Sequence, residues 1–288
     1  MAGKRSYPYP IRGSSMSNMS NKVIFVVLDG LNYQVAQNCM GYLSAFMDSQ
    51  QATTYQISSE LPSLSRPLYE CLLTGEAPVH SGIVNNQVSR LSFNSSVFSL
   101  AAQAGLTTAA AAYHWVSELY NSSPYNQQKD RICNDKSLNI QHGMFYHLDH
   151  YPDTILFADA EHLRQTYQPD FLLIHPMNID DAGHQFGLDS PEYRNSARQA
   201  DIILSDYLPT WIEEGYQVVI TSDHGMNNDK THGGVLEEER TVPLFLLGTQ
   251  FSQQSVDVKQ TQICGLLCQL LGLSDHQKSY HPALLKQG

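Results

Sequence analysis

Asp223, His224 and His232 lie within one stretch, VVITSDHGMNNDKTHGG, which runs from Val218 to Gly234. A carboxylate and two imidazoles in a glycine-punctuated turn are donors suited to a divalent ion of the zinc type. A polar turn with surface histidines has the same composition, so this stretch alone leaves both readings open. Two other stretches end in similar donors. Asp29 follows the apolar run VIFVVL, and Asp180-Asp181-Ala182-Gly183-His184 follows FLLIH at Phe171 to His175. An Asp and a His four residues apart make a compact chelate; Asp181 also lies near His184 and competes with Asp180. A serine supplies a candidate nucleophile. Ser65 stands just before Pro67, with Leu68, Cys71 and Leu72 at helical spacing. That puts it at a helix N-terminus, where unpaired N–H groups and the helix dipole favour an anion. A plain capping serine is the alternative, and Ser63 competes by position.

The elements that must carry these residues follow from hydrophobic periodicity. Short apolar runs at 23–28, 53–57, 107–112, 171–175, 218–221 and 242–247 read as strands. Amphipathic or apolar stretches at 31–50, after Ser65, and at 97–103, 191–214 and 256–273 read as helices. Strand and helix alternate, which predicts an α/β sandwich around a mostly parallel sheet. In such a sheet the carboxyl ends of the strands open on one crevice. Asp29, the Asp180–His184 pair and the Asp223–His224 pair all follow strands, so the sheet would gather them. Residues 120–155 are polar and turn-rich, with His142, His147 and His150, and read as a surface cap or long loop.

Composition sets limits. The chain has 288 residues, 42% of them hydrophobic, and a formal net charge of −11. The acidic balance argues against a nucleic-acid polymer or an anionic membrane as partner. A small phosphorylated substrate remains compatible, because bound cations supply local positive charge. No apolar run approaches the roughly 20 residues of a membrane span. The five cysteines are odd in number and lack CxxC spacing, which predicts reduced core thiols and a cytoplasmic location. Residues 1–20 lack the apolar core of a secretory signal and read as a disordered lead or tag. The expectation is one catalytic domain over 21–288.

Taken together, these pieces resemble the alkaline phosphatase superfamily, most closely its nucleotide pyrophosphatase/phosphodiesterase branch. The matching segments are VVLDG at Asp29, SRPLYECLLTG with GIVNN after it, DDAGH at Asp180, SDHGM at Asp223, and THGG followed by TVPLFLLG. They occur in family order and span nearly all of the chain after residue 22. The resemblance implies a three-layer α/β/α sandwich with two divalent metal ions, zinc being the expected metal. It assigns one ion to Asp180, His184 and His232, and the other to Asp29, Asp223 and His224. It makes Ser65, rather than Ser63, the nucleophile, itself in contact with the second ion. Sulfatases of the superfamily carry an Arg four residues after the nucleophile; here that position is Tyr69, which speaks against a sulfatase. The implied reaction is hydrolysis of a phosphodiester through a phosphoseryl intermediate on Ser65. Helix N–H groups after Ser65, together with Asn86, would stabilise the phosphoryl oxygens. A phosphomonoesterase or phosphonate hydrolase, or a binding protein that kept the fold, are the alternatives.

Overall fold

The computed structural model describes residues 21–287; the lead expected over 1–20 lies outside them. Among the described residues eight strands form one sheet: β1 (Val23–Val27), β2 (Ala52–Ser58), β3 (Thr108–Tyr113), β4 (Ile132–Asn134), β5 (His142–Tyr146), β6 (Phe171–Ile174), β7 (Gln217–Thr221) and β8 (Thr241–Leu247). Their order is β2-β8-β7-β1-β6-β3-β5-β4. The five strands from β7 to β5 are mutually parallel. β8 runs antiparallel to β7, β2 to β8, and β4 to β5.

Twelve helices accompany the sheet among the described residues: α1 (Tyr33–Cys39), α2 (Gly41–Asp48), α3 (Ser65–Thr74), α4 (Pro78–Ser81), α5 (Val97–Gln103), α6 (His114–Tyr120), α7 (Gln127–Asp130), α8 (Asp153–Tyr167), α9 (Asn178–Phe186), α10 (Pro191–Glu213), α11 (Glu237–Arg240) and α12 (Ile263–Leu270). Central β1 shows how the layers arise. Side chains alternate across a strand, so Val23, Phe25 and Val27 enter one core, with Leu72, Phe98, Val116 and Leu266. Ile24, Val26 and Leu28 enter the other, with Val35, Phe157, Leu204 and Trp211. Both faces of β1 are therefore buried, as its unbroken apolar run requires. The result is the expected α/β sandwich with a mostly parallel central sheet.

Four local expectations are corrected. Residues 120–155 are not simply a surface cap: β4 and β5 within them complete one edge of the sheet, and His142 is buried in β5. α8 was not anticipated, although Leu156, Phe157, Ala160 and Leu163 recur at helical spacing and are buried. The single helix expected over 31–50 is broken at Met40, whose ψ of 74° is not helical. α2 restarts there because the Asp201 carboxylate, from α10, accepts the N–H groups of Tyr42 and Leu43 at 2.7 and 3.0 Å. The closing helix is shorter than 256–273, with a single 3₁₀ turn at Gln260–Gln262 leading into α12. No helix among the described residues is long and apolar enough to cross a membrane.

Candidate metal centre and active site

Neighbouring strands β7, β1 and β6 deliver the acidic and imidazole donors to one crevice. Asp29 sits two residues beyond β1. Asp223 and His224 follow β7 after Ser222. The loop after β6 leads into α9, which carries Asp180 in its first turn and His184 in its last. Gly30 makes the approach possible: its φ is +74°, and a Cβ there would lie 2.8 Å from Asp180 Oδ1. A side chain at position 30 would meet both backbone strain and a clash.

Two triads result, Asp180–His184–His232 and Asp29–Asp223–His224, each with one donor atom per residue clustered within 4.8 Å. In the first, His184 Nε2 lies 3.4 Å from Asp180 Oδ2 and His232 Nε2 3.7 Å from Asp180 Oδ1. In the second, His224 Nε2 lies 3.4 Å from Asp29 Oδ1 and 3.3 Å from Asp223 Oδ2. The triads adjoin, since the His224 and His232 rings stack 3.5 Å apart.

Hydrogen bonding fixes which imidazole nitrogen faces the crevice. The Nδ1 atoms of His184, His224 and His232 lie 2.9, 2.8 and 2.7 Å from the carbonyl oxygens of Lys230, Gly225 and Ser63. A carbonyl only accepts, so each Nδ1 carries a proton and each Nε2 of a neutral ring presents a lone pair inward. His184 Nε2 and His232 Nε2 then face each other at 3.2 Å. Buried oxygens face the same space: among the described residues, Asp29 Oδ1, Asp180 Oδ1 and Asp223 Oδ2 accept no hydrogen bond. Lone pairs and unpaired carboxylate oxygens converging in this way make a donor set that cations would fit.

The electrostatics agree. Burial, reinforced by the Asp29 charge, pushes the carboxyls of Asp180 and Asp223 above their ordinary range. Asp29 stays low, at about 2, because burial is outweighed by the His175 hydrogen bond and the charge on His224. The hydrogen bond to Asp180 lifts His184 to about 9. His224 also rises, because Asp223 and Asp29 outweigh its burial. His232 falls to about 3 through burial and the neighbouring His224. Without an ion, protons gather where positive charge is needed. The donor set of two imidazoles with one carboxylate, and two carboxylates with one imidazole, fits a pair of zinc-type ions.

Ser65 is the first residue of α3, with Leu64 at the cap position. Its Oγ lies 3.0 Å from His224 Nε2, beside the second triad. Ser63 is committed elsewhere: its Oγ bonds Gly234 O and the Gly233 N–H, both at 3.0 Å, and its carbonyl accepts from His232. It holds the THGG turn in place. Asp181 turns aside too, accepting from Gln185 Nε2 at 2.7 Å.

The expected run of helix N–H groups beyond Ser65 is corrected. The Arg66 N–H is taken by Asn86 Oδ1 at 3.1 Å, Pro67 has no N–H, and the Leu68 N–H bonds Leu64 O at 3.1 Å. Asn86 is thereby oriented beside Ser65, and its Nδ2 has no protein partner among the described residues. The Arg66 side chain is committed to partners outside the two triads. It is 3% exposed, pairs with Glu118 Oε2 at 2.8 Å and lies 4.5 Å from the Trp115 ring centre.

Two further residues support Asp29. Its Oδ2 accepts from the Tyr69 hydroxyl and from His175 Nε2, the latter at 3.0 Å, which leaves Oδ1 alone to face the crevice. The Tyr113 N–H reaches His175 Nδ1 at 3.4 Å, consistent with the proton on Nε2. Both residues had a sequence signal: His175 ends the strand segment FLLIH, and Tyr69 lies one helical turn after Ser65 on the same face.

A parallel sheet that brings two carboxylate–imidazole triads beside a serine at a helix start defines the class, the alkaline phosphatase superfamily. Within it, this chain belongs to the type I phosphodiesterase / nucleotide pyrophosphatase family, whose model matches residues 23–240. The catalytic subunit of human GPI ethanolamine phosphate transferase 2 is 21% identical over 291 residues, covering 92% of this chain and 28% of its own length. GPI ethanolamine phosphate transferase 3 of Saccharomyces cerevisiae is 31% identical over 111 residues, 38% of this chain and 10% of its own. The chain thus spans little more than a quarter of the human relative. Murine ectonucleotide pyrophosphatase / phosphodiesterase 5 superposes with a TM-score of 0.71 at 14% identity, covering 92% of this chain and all of that one. A phosphonate monoester hydrolase from Silicibacter pomeroyi gives 0.62 at 12%, covering 91% and 76%.

Proposed function

We propose that this protein is a two-metal phosphodiesterase that works through a covalent phosphoseryl intermediate on Ser65. One observation carries the reading. Ser65 Oγ stands 3.0 Å from His224 Nε2, where the unpaired oxygens of Asp29 and Asp223 also point. Asp180, His184 and His232 would hold one ion, and Asp29, Asp223 and His224 the other. When bound, such ions supply Lewis-acid chemistry, easing loss of the serine proton and neutralising charge on the attacking and leaving oxygens.

The chain's own residues do the rest. Ser65 forms the new bond to phosphorus, and the bond to one ester oxygen breaks, releasing that arm as an alcohol. Asn86 Nδ2 donates to a phosphoryl oxygen, positioned by the bond its Oδ1 accepts from Arg66. Water attacking from the opposite side then frees the phosphoryl group from Ser65. An acceptor alcohol in place of water would make the same site a transferase. The phosphate transferases among the relatives favour that second reading.

The preference for a diester rests on charge. A diester carries one negative charge and a monoester close to two at neutral pH. Arg66, the cation beside Ser65 in sequence, is buried and paired with Glu118. The test compares bis(4-nitrophenyl) phosphate with 4-nitrophenyl phosphate at saturating zinc. The reading expects a higher kcat/KM for the diester, lost in Ser65→Ala while both ions stay bound. A monoester preference above tenfold, about 1.4 kcal/mol in the transition state, rejects the diester assignment. Full activity in Ser65→Ala rejects the nucleophile.

A further inference from the structure

Asp153 is a carboxylate, 6% exposed, that the proposed chemistry does not use. It starts α8 and sits against the N-terminus of α9, where Met177 occupies the cap position without a side-chain cap. Two reciprocal bonds join them. The Asp153 N–H donates to Asn178 Oδ1 at 3.0 Å, and the Asn178 N–H donates to Asp153 Oδ1 at 3.3 Å. Asn178 Nδ2 also donates to Tyr151 O at 2.9 Å and Asp149 O at 3.4 Å. Burial pushes the Asp153 carboxyl up to about 7, against the N–H groups of Asn178 and Met177 that pull it down. A buried acid kept in this setting has a structural use. It supplies from another helix the cap that α9 lacks. Asp180 lies two residues beyond Asn178, and His184 one turn further on.

Resting on the two-ion reading above, we propose that the Asp153–Asn178 clasp is a positioning device for the Asp180/His184/His232 site. It sets the axial position of α9, and so decides how closely Asp180 and His184 approach His232 before any ion arrives. Outer partners that orient ligands typically change metal affinity by about 10- to 100-fold.

The test uses the full chain and zinc, titrated in competition with a chromophoric chelator. In an Asp223→Ala background only the Asp180/His184/His232 site should remain. Adding Asp153→Ala is expected to raise its zinc Kd by roughly 10- to 100-fold, whereas Asp153→Asn, which keeps an acceptor at Oδ1, should stay within about threefold of the parent. In an Asp180→Ala background, Asp153→Ala should leave the other site's affinity unchanged. Asn178→Ala opens the same clasp from the other side and carries the test if Asp153→Ala fails to fold. Unchanged affinity in both clasp variants overturns the proposal while the two-ion reading stands. Equal weakening of both sites also overturns it, since that marks a general structural defect. A single-site parent that takes up no zinc overturns the two-ion reading, and the clasp proposal with it.

Discussion

Replacing Arg66 with Met separates a structural cation from one that serves the substrate. Arg66 forms an ion pair with Glu118 in which the side chains are 4% and 8% exposed. Removing one partner of a buried pair typically costs about 3–5 kcal/mol, because the other charge is left behind. Glu118 would not be wholly stranded. Its Oε1 still accepts from the Tyr125 N–H at 3.0 Å and from Ser89 Oγ at 3.2 Å. The loss of the guanidinium over Trp115 adds up to about 2 kcal/mol, while Met retains much of the apolar packing. We therefore expect Arg66→Met to lower unfolding free energy by about 3 kcal/mol. Arg66→Met with Glu118→Gln should recover 1 kcal/mol or more, roughly, by removing the stranded charge. Denaturant unfolding measures both. In the folded variants the ratio of diester to monoester kcat/KM should change by less than about tenfold. Unchanged stability, together with a selective hundredfold fall in monoester turnover, would refute the argument and make Arg66 a substrate ligand.

Three further outcomes follow. Asn86→Ala should reduce kcat by about 10²-fold, the scale of losing one phosphoryl-oxygen donor, with little change in zinc content measured by elemental analysis. Saturating zinc at about 1,000 times its Kd should stabilise the protein by about 4 kcal/mol per site, raising the thermal midpoint by roughly 10 °C per site; an unchanged midpoint would count against either triad holding an ion. The pH dependence has a defined sign. His184 is raised from 6.5 to about 9 in the metal-free protein, so the stability from its pairing with Asp180 is full below pH 6.5 and lost as pH rises through about 9. Zinc needs the neutral ring, so adding zinc at pH 7.5 should release protons, which a weakly buffered indicator assay detects.

The strands and the site were legible in the sequence to different depths. β1, β6 and β7 were readable because strands buried on both faces are continuous apolar runs, and Asp29, Asp180 and Asp223 follow them closely. The gathering of Asp29, Asp180, His184, Asp223 and His224 was inferable from topology, since neighbouring parallel strands open on one crevice; the place of His232 and the division into two triads came from the family resemblance. β4 was not readable, because a short edge strand such as Ile132–Asn134 is largely exposed and has a composition like that of a loop; β5, HGMFY, opens on His and Gly and so does not form a continuous apolar run. Side-chain direction was also beyond the sequence. Nothing in SRP states that Arg66 turns inward to Glu118, fifty-two residues away, or that Asn86 takes the N–H expected to serve the substrate. The family resemblance chose Ser65 over Ser63, but the physical reason, the turn at Gly233-Gly234 that occupies Ser63, was visible only in the structure. The Asp153–Asn178 clasp joins residues 25 apart through two helix starts, and neither residue type signals such a partner.

The most direct test of the central claim is mass spectrometry of peptides from an acid-quenched reaction with bis(4-nitrophenyl) phosphate and zinc. A nitrophenylphosphoryl group is expected on the peptide carrying Ser65, localised to that residue and missing from Ser65→Ala. An adduct on Ser63 or another side chain would contradict it, as would wild-type turnover by Ser65→Ala.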